Sequence, residues 1–228
     1  MRRRAFTLIE LIMVIVVIAI LAASAIPRFK RDTRSEAINH MLTMIRYTQN
    51  LALHDSRHDS NNSKWQQSFW RFAIRKCSGG GIYYQIGSDS DYNGAISQEE
   101  SAVDPSNGKL THWVGTQACP SFSSVNKNIS PNIFISQKYG IKDAIFNSCR
   151  IRKNGTGKSS KSSAKYISFD NFGRPMKGNM DSTKPNYSGY AVGNCNIKFK
   201  FEDKSIKPFV IIIPKETGYA YLKENPTL

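Results

Sequence analysis

The chain has 228 residues, 40% of them hydrophobic and 21% charged, which is enough for one modest globular domain with an appended segment and too little for a second independent domain. Lysine and arginine outnumber aspartate and glutamate 32 to 17, a formal charge of +15 that suits a polyanionic contact or simply a well-solvated basic surface. The four cysteines, Cys77, Cys119, Cys149 and Cys195, are widely spaced with no CxxC pair, which excludes a zinc cluster or a thioredoxin-like redox pair and predicts two disulfides in an oxidising compartment, with three pairings open.

The first element is an apolar run. Between Phe6 and Ile26 the only ionisable side chain is Glu10, so this stretch is long enough to cross a bilayer as a helix. Arg2, Arg3 and Arg4 precede it and hold that end in the cytoplasm, sending the remainder outward. A carboxylate inside hydrocarbon costs roughly 2.5 to 3.5 kcal/mol and marks a function that needs a cationic partner. No cation lies within the run. The fitting partner is the amine created if the chain is cut just before Phe6, offered by a neighbouring copy.

The string AFTLIELIMVIVVIAILAA, followed by Pro27, resembles the class III signal of type IV pilins and type II secretion pseudopilins. The resemblance implies that residues 1–5 are a leader removed by prepilin peptidase between Ala5 and Phe6. It also implies that Phe6 is N-methylated, that Glu10 is the docking carboxylate, and that Pro27 bends the helix. The residue before the cut, usually glycine in that family, is Ala5 here. Residues 6–27 are then the transmembrane and assembly helix, residues 28–57 its amphipathic half, and residues 58–228 a β-rich periplasmic or extracellular domain. The implied partners are other pilin or pseudopilin subunits, prepilin peptidase and the inner membrane.

After Pro27, apolar residues recur at three- and four-residue spacing through Ile38, Met41, Leu42, Ile45 and Ala52, which predicts one helix from residue 6 to about residue 54. Segments rich in aromatic and β-branched residues predict strands at 68–76, 82–87, 132–137, 165–170, 196–201, 209–213 and 218–222. The longest Ser, Gly, Asn and Lys cluster, 154–163, reads as a loop. A long helix followed by strands predicts an α+β fold with the helix packed on an antiparallel sheet, which is also the pilin-like architecture.

Within this frame, DSDYNGAISQEE, residues 89–100, fits a twelve-residue calcium loop. Asp89, Asp91 and Asn93 offer oxygens at alternating positions, and Gly94 permits the sharp turn. Ala95 offers its carbonyl, Ile96 packs inward, Ser97 contributes directly or through water, and Glu100 closes the shell. Aspartate and asparagine also favour turns without any metal, so an acidic turn is the competing reading.

The stretch 149–179 is the most basic. Its GKS at 157–159 is no phosphate loop, because the glycine such a loop needs at position 152 is Arg152. Arg150, Arg152, Lys153, Lys158, Lys161, Lys165, Arg174 and Lys177 are the candidates for a surface that tracks phosphates, giving DNA as a possible partner. The segment YISFDNFGRPM resembles the strand and Gly-Arg turn of the H-type minor pseudopilins and T-type minor pilins. In some of the latter a Gly-Arg-x-Arg turn binds DNA; here Gly173 and Arg174 match, and Met176 stands where the second arginine would be.

His40, His54, His58 and His112 lack metal-ligand spacing, and no nucleophile or carboxylate pair is arranged for catalysis, so no enzyme is expected. The reading is a minor pilin or pseudopilin serving type II secretion, pilus biogenesis or DNA uptake. Its rivals are a DNA-binding minor pilin and a membrane-anchored binding protein that never polymerises.

Overall fold

The computed structural model describes residues 7–25, 32–120, 126–146, 149–152, 159–161, 165–180 and 183–223, and for 22–25, 150–152 and 159–161 it describes the backbone alone. It divides into two compact units, Met1–Thr33 and Arg34–Leu228. In the first, helix α1 (Leu8–Ala25) is apolar around its whole circumference, and its large side chains from Leu8 to Leu21 stand exposed. A helix of that kind needs a cover other than water. Among the described residues no helix is long and apolar enough to cross a membrane; the 18 residues of α1 rise about 27 Å against a hydrocarbon core of about 30 Å.

The second helix, α2 (Thr33–His54), turns one stripe inward: Ala37, Ile38, Met41, Met44, Ile45, Thr48, Gln49 and Ala52 are buried at three- and four-residue spacing. The single helix expected from residue 6 to 54 is thus described as two helices, and Pro27 with its expected bend lies outside the described residues.

The fold is α+β, with two four-stranded antiparallel sheets where one was expected. The first has the order β2-β1-β6-β7, from β1 (Trp70–Lys76), β2 (Ile82–Gly87), β6 (Tyr166–Phe169) and β7 (Pro175–Met176). The second has the order β10-β9-β8-β3, from β3 (Ile141–Phe146), β8 (Cys195–Phe201), β9 (Phe209–Ile213) and β10 (Tyr221–Leu222). A two-stranded sheet pairs β4 (Arg150–Arg152) with β5 (Ser159–Lys161), so part of the 154–163 segment read as loop is strand. Both four-stranded sheets and α2 contribute to one core, in which Phe72 stacks on Tyr84 and Phe199 on Phe209.

The strand expected at 132–137 is helical. Ser130 caps a short 3-10 turn (Pro131–Ile133) by accepting from the N–H of Asn132, and α3 (Ile135–Tyr139) follows, closed by Gly140 with φ of 66°. Aromatic and β-branched content pointed to a strand, but the Ser-Pro start and the left-handed glycine stop decided the outcome.

Polar side chains of α2 tie distant turns to the core. Gln49 Nε2 donates to the carbonyl of Gly173 at 3.0 Å and to that of Thr217 at 2.5 Å, and Arg46 Nε donates to that of Ala220. The two turns meet so closely that a Cβ on Gly218 would lie 1.9 Å from the Gly173 carbonyl oxygen, so position 218 must be glycine. The disulfides resolve the three possible pairings as Cys77–Cys119 and Cys149–Cys195. The first anchors the long connection between β2 and α3 to the end of β1. By loop-closure entropy each is worth about 4 kcal/mol.

Candidate functional site

Two features stand out, and the first is at the start of α1. The Thr7 hydroxyl accepts from the Glu10 N–H at 3.4 Å, while Glu10 Oε2 accepts from the Thr7 N–H at 2.9 Å and from its hydroxyl at 2.8 Å. This reciprocal pattern is a capping box, which satisfies two N–H groups that the first turn of a helix leaves without partners. The carboxylate therefore has a local, uncharged partner in Thr7 where only a cation was expected. Glu10 Oε1 makes no hydrogen bond among the described residues, so one oxygen holds the helix start and the other is open. Ala5 and Phe6 lie outside the described residues.

The second is the 89–100 loop. Oxygens of Asp89, Asp91 and Glu100 lie within 4.8 Å of one another. The loop's own backbone holds them: Asp89 accepts from the N–H groups of Asn93 and Gly94, and Asp91 from that of Asn93. Glu100 accepts from those of Ser90, Asp91 and Ser97. Asn93 Oδ1 accepts from the N–H of Ala95 at 2.8 Å. Two residues take left-handed backbone, Gly94 with φ of 86° and Tyr92 with φ of 59°, the latter being the one non-glycine in that region among the described residues. Ile96 is buried against β2, where a Cβ on Gly87 would come within 2.5 Å of Ile96 Cγ2. Burial pushes the Glu100 carboxyl upward, but its hydrogen bonds with Ser97, Asp91 and Ser90 outweigh that and bring it down to about 2.

A cation from the core reaches this loop. Arg71 on β1 is fully buried; its Nη2 lies 3.3 Å from Asp89 Oδ2 and donates to the Gln67 carbonyl at 2.8 Å. Its Nε and Nη1 have no hydrogen-bond partner among the described residues. Desolvation lowers the Arg71 pKa and raises that of Asp89, and each charge partly offsets the penalty on the other. Arg71 carries no motif, so sequence gave no signal for it beyond a charge at an inward position of a strand.

Of the eight basic candidates, only Lys165, Arg174 and Lys177 have described side chains. Lys153 and Lys158 lie outside the described residues, and for Arg150, Arg152 and Lys161 only the backbone is described, in the β4–β5 sheet. Lys165 is exposed. Arg174 is paired to Asp170 at 2.7 Å, with its guanidinium over the rings of Tyr190 and Phe172. Asp170 also accepts from the N–H groups of Phe172 and Arg174, so the Gly-Arg turn is built around that carboxylate and around the close approach of Gln49 to Gly173.

Lys177 requires correction. Expected on the phosphate-tracking surface, it is fully buried, its Nζ has no hydrogen-bond partner among the described residues, and it lies 4.9 Å from the centre of the Phe146 ring. Desolvation lowers its pKa to about 8.

The comparison with known families bears on the first of these features. The chain carries the prokaryotic N-terminal methylation motif. The match spans residues 1–26, which include Ala5, Phe6, Thr7 and Glu10, and it is consistent with a type IV pilin or pseudopilin. No curated protein and no solved structure matches. The motif implies processing by prepilin peptidase, membrane anchoring and assembly with other pilin subunits, and it points to a structural subunit.

Burial of Lys177 has a measurable consequence. Its folded pKa lies below the unfolded one, so the unfolded chain binds more protons between about pH 8 and 10.5 and stability rises with pH across that window. Lys177→Met should stabilise the protein at pH 7 by up to ~3 kcal/mol, an advantage that shrinks above pH 8 in denaturant titrations. An advantage that stays constant to pH 10.5 would show that the amine is not desolvated.

Proposed function

We propose that this chain is a minor pilin or pseudopilin, a structural subunit of a type IV pilus, a type II secretion pseudopilus or a DNA-uptake pseudopilus. Before assembly α1 anchors it in the bacterial inner membrane with the amino terminus cytoplasmic and the Arg34–Leu228 unit in the periplasm. Cleavage between Ala5 and Phe6 releases the leader, and α1 then exchanges lipid for neighbouring helices in the filament. The observation that carries the reading is the methylation motif on a helix apolar all round, whose one carboxylate keeps an oxygen open. In hydrocarbon that oxygen favours a neighbour's terminal amine over any other partner on offer.

The 89–100 loop is proposed to hold a calcium ion through Asp89, Asp91, Asn93, the Ala95 carbonyl, Ser97 and Glu100. The clustered carboxylates support this, since three acids within 4.8 Å repel one another and Arg71 offsets only one charge. The ion's role would be structural, locking an exported loop.

A second reading, DNA binding, now rests on the β4–β5 sheet, whose register sets Arg150 opposite Lys161. It predicts a shift of double-stranded DNA that falls steeply with salt and is lost when Arg150, Arg152 and Lys161 become glutamine. No shift at low salt rules it out.

Two tests address the main reading. Glu10→Val should leave the chain inserted in the membrane but abolish its recovery in sheared filament fractions, whereas a membrane-anchored protein that never polymerises would keep its activity. For calcium, the thermal midpoint should rise on adding the ion, equivalent to about 2.7 kcal/mol at a hundredfold excess over Kd. Asp89→Ala should erase the difference, and equal midpoints in chelator and calcium would refute the site.

A further inference from the structure

An open cleft of about 780 Å³ lies beside the 89–100 loop, between β1, β2 and the segment 112–115, with Ala95 and Ile96 of the loop on its wall. That volume falls in the range of small-ligand sites, roughly 300 to 1,000 Å³. Three cations line it, Arg75, Lys76 and Lys165, and no carboxylate does. None of the three is in a salt bridge among the described residues. Cations of one sign around a concave, low-dielectric wall focus their field into it and concentrate anions there.

The polar lining is ordered rather than loose. Arg75 Nε donates to Gln85 Oε1 at 2.9 Å, and Gln85 Nε2 lies 2.8 Å from His112 Nδ1 and donates to the Ile96 carbonyl at 3.2 Å. Desolvation lowers the His112 pKa, so near pH 7 this ring is neutral and serves the hydrogen-bond network rather than adding charge. Arg75 is thereby fixed through Nε while its two terminal nitrogens make no hydrogen bond among the described residues, a planar fork that matches a carboxylate or phosphate. Trp113 lines the same cleft, and its indole Nε1 is a buried donor with no partner among the described residues. A buried donor left unpaired is costly and calls for a missing partner.

We propose that this cleft binds a compact ligand through an oxyanion, a phosphate or a carboxylate, held by Arg75 with Lys76 and Lys165, its body lying along Trp113.

The test follows the three indole N–H signals of the full chain in detergent micelles by nitrogen-edited NMR, with the Trp113 signal assigned by Trp113→Phe. Glucose 6-phosphate and glucuronate are the probes, and glucose is the neutral control. The expected result is a saturable shift confined to Trp113 with at least one anion and none with glucose. A response to the phosphate alone assigns a phosphate ester, and a response to the acid alone assigns a carboxylate. Lys76→Gln with Lys165→Gln, both at exposed positions, should weaken binding about tenfold while the Trp65 and Trp70 signals stay in place. No Trp113 shift up to about 10 mM of either anion, equal shifts of all three indoles, or undiminished binding by the double variant would overturn the proposal.

Discussion

A stretch of chain with no strand to pair with must find other partners for its backbone N–H groups, and between β2 and α3 carboxylates provide them. Asp89 and Glu100 accept from the turns of one loop. Asp104, also buried, accepts from the N–H and hydroxyl of Ser106, the hydroxyl of Ser130 and the side-chain amides of Asn107 and Asn132. Backbone bridges such as Leu110 to Asn128 and Thr111 to Ala102 complete the work, and Cys119 closes the segment onto β1. Such an arrangement collects negative charge in a small volume, and the fold answers it with Arg71 from beneath. The same logic makes the loop a credible cation site and places an ordered wall next to the cleft at Arg75 and Trp113.

At the start of α1, Thr7 supplies two donors to one oxygen of Glu10. The helix start is stabilised without exhausting the acid, and a single side chain can therefore serve both helix initiation and contact with a neighbour.

Much of this was legible in the residues. The apolar run with its lone acid, the inward stripe of α2, strands β2 and β9, the α+β class and the two disulfides all follow from pattern and composition. The Thr7-Leu8-Ile9-Glu10 spacing also carries the signature of a capping box. Other features depend on tertiary contacts. Strand β3 carries Lys142 and Asp143, which masked it, and the 132–137 segment had strand-like content but helix caps at both ends. Lys177 read as a surface charge because lysine is rarely buried, and only the packing around it shows otherwise; Arg71 carried no motif to mark it. Arg174 similarly looked available for phosphate until Asp170 was found to hold it.

Whether the carboxylates of the 89–100 loop are assembled for a cation is tested most directly by a crystal structure of the protein grown with calcium. It should show one ion with oxygens of Asp89, Asp91, Asn93 and Glu100 at about 2.3 to 2.6 Å, with Arg71 still against the far oxygen of Asp89. A loop without an ion at saturating calcium, or one in which Glu100 turns to solvent and keeps only its turn hydrogen bonds, would contradict it.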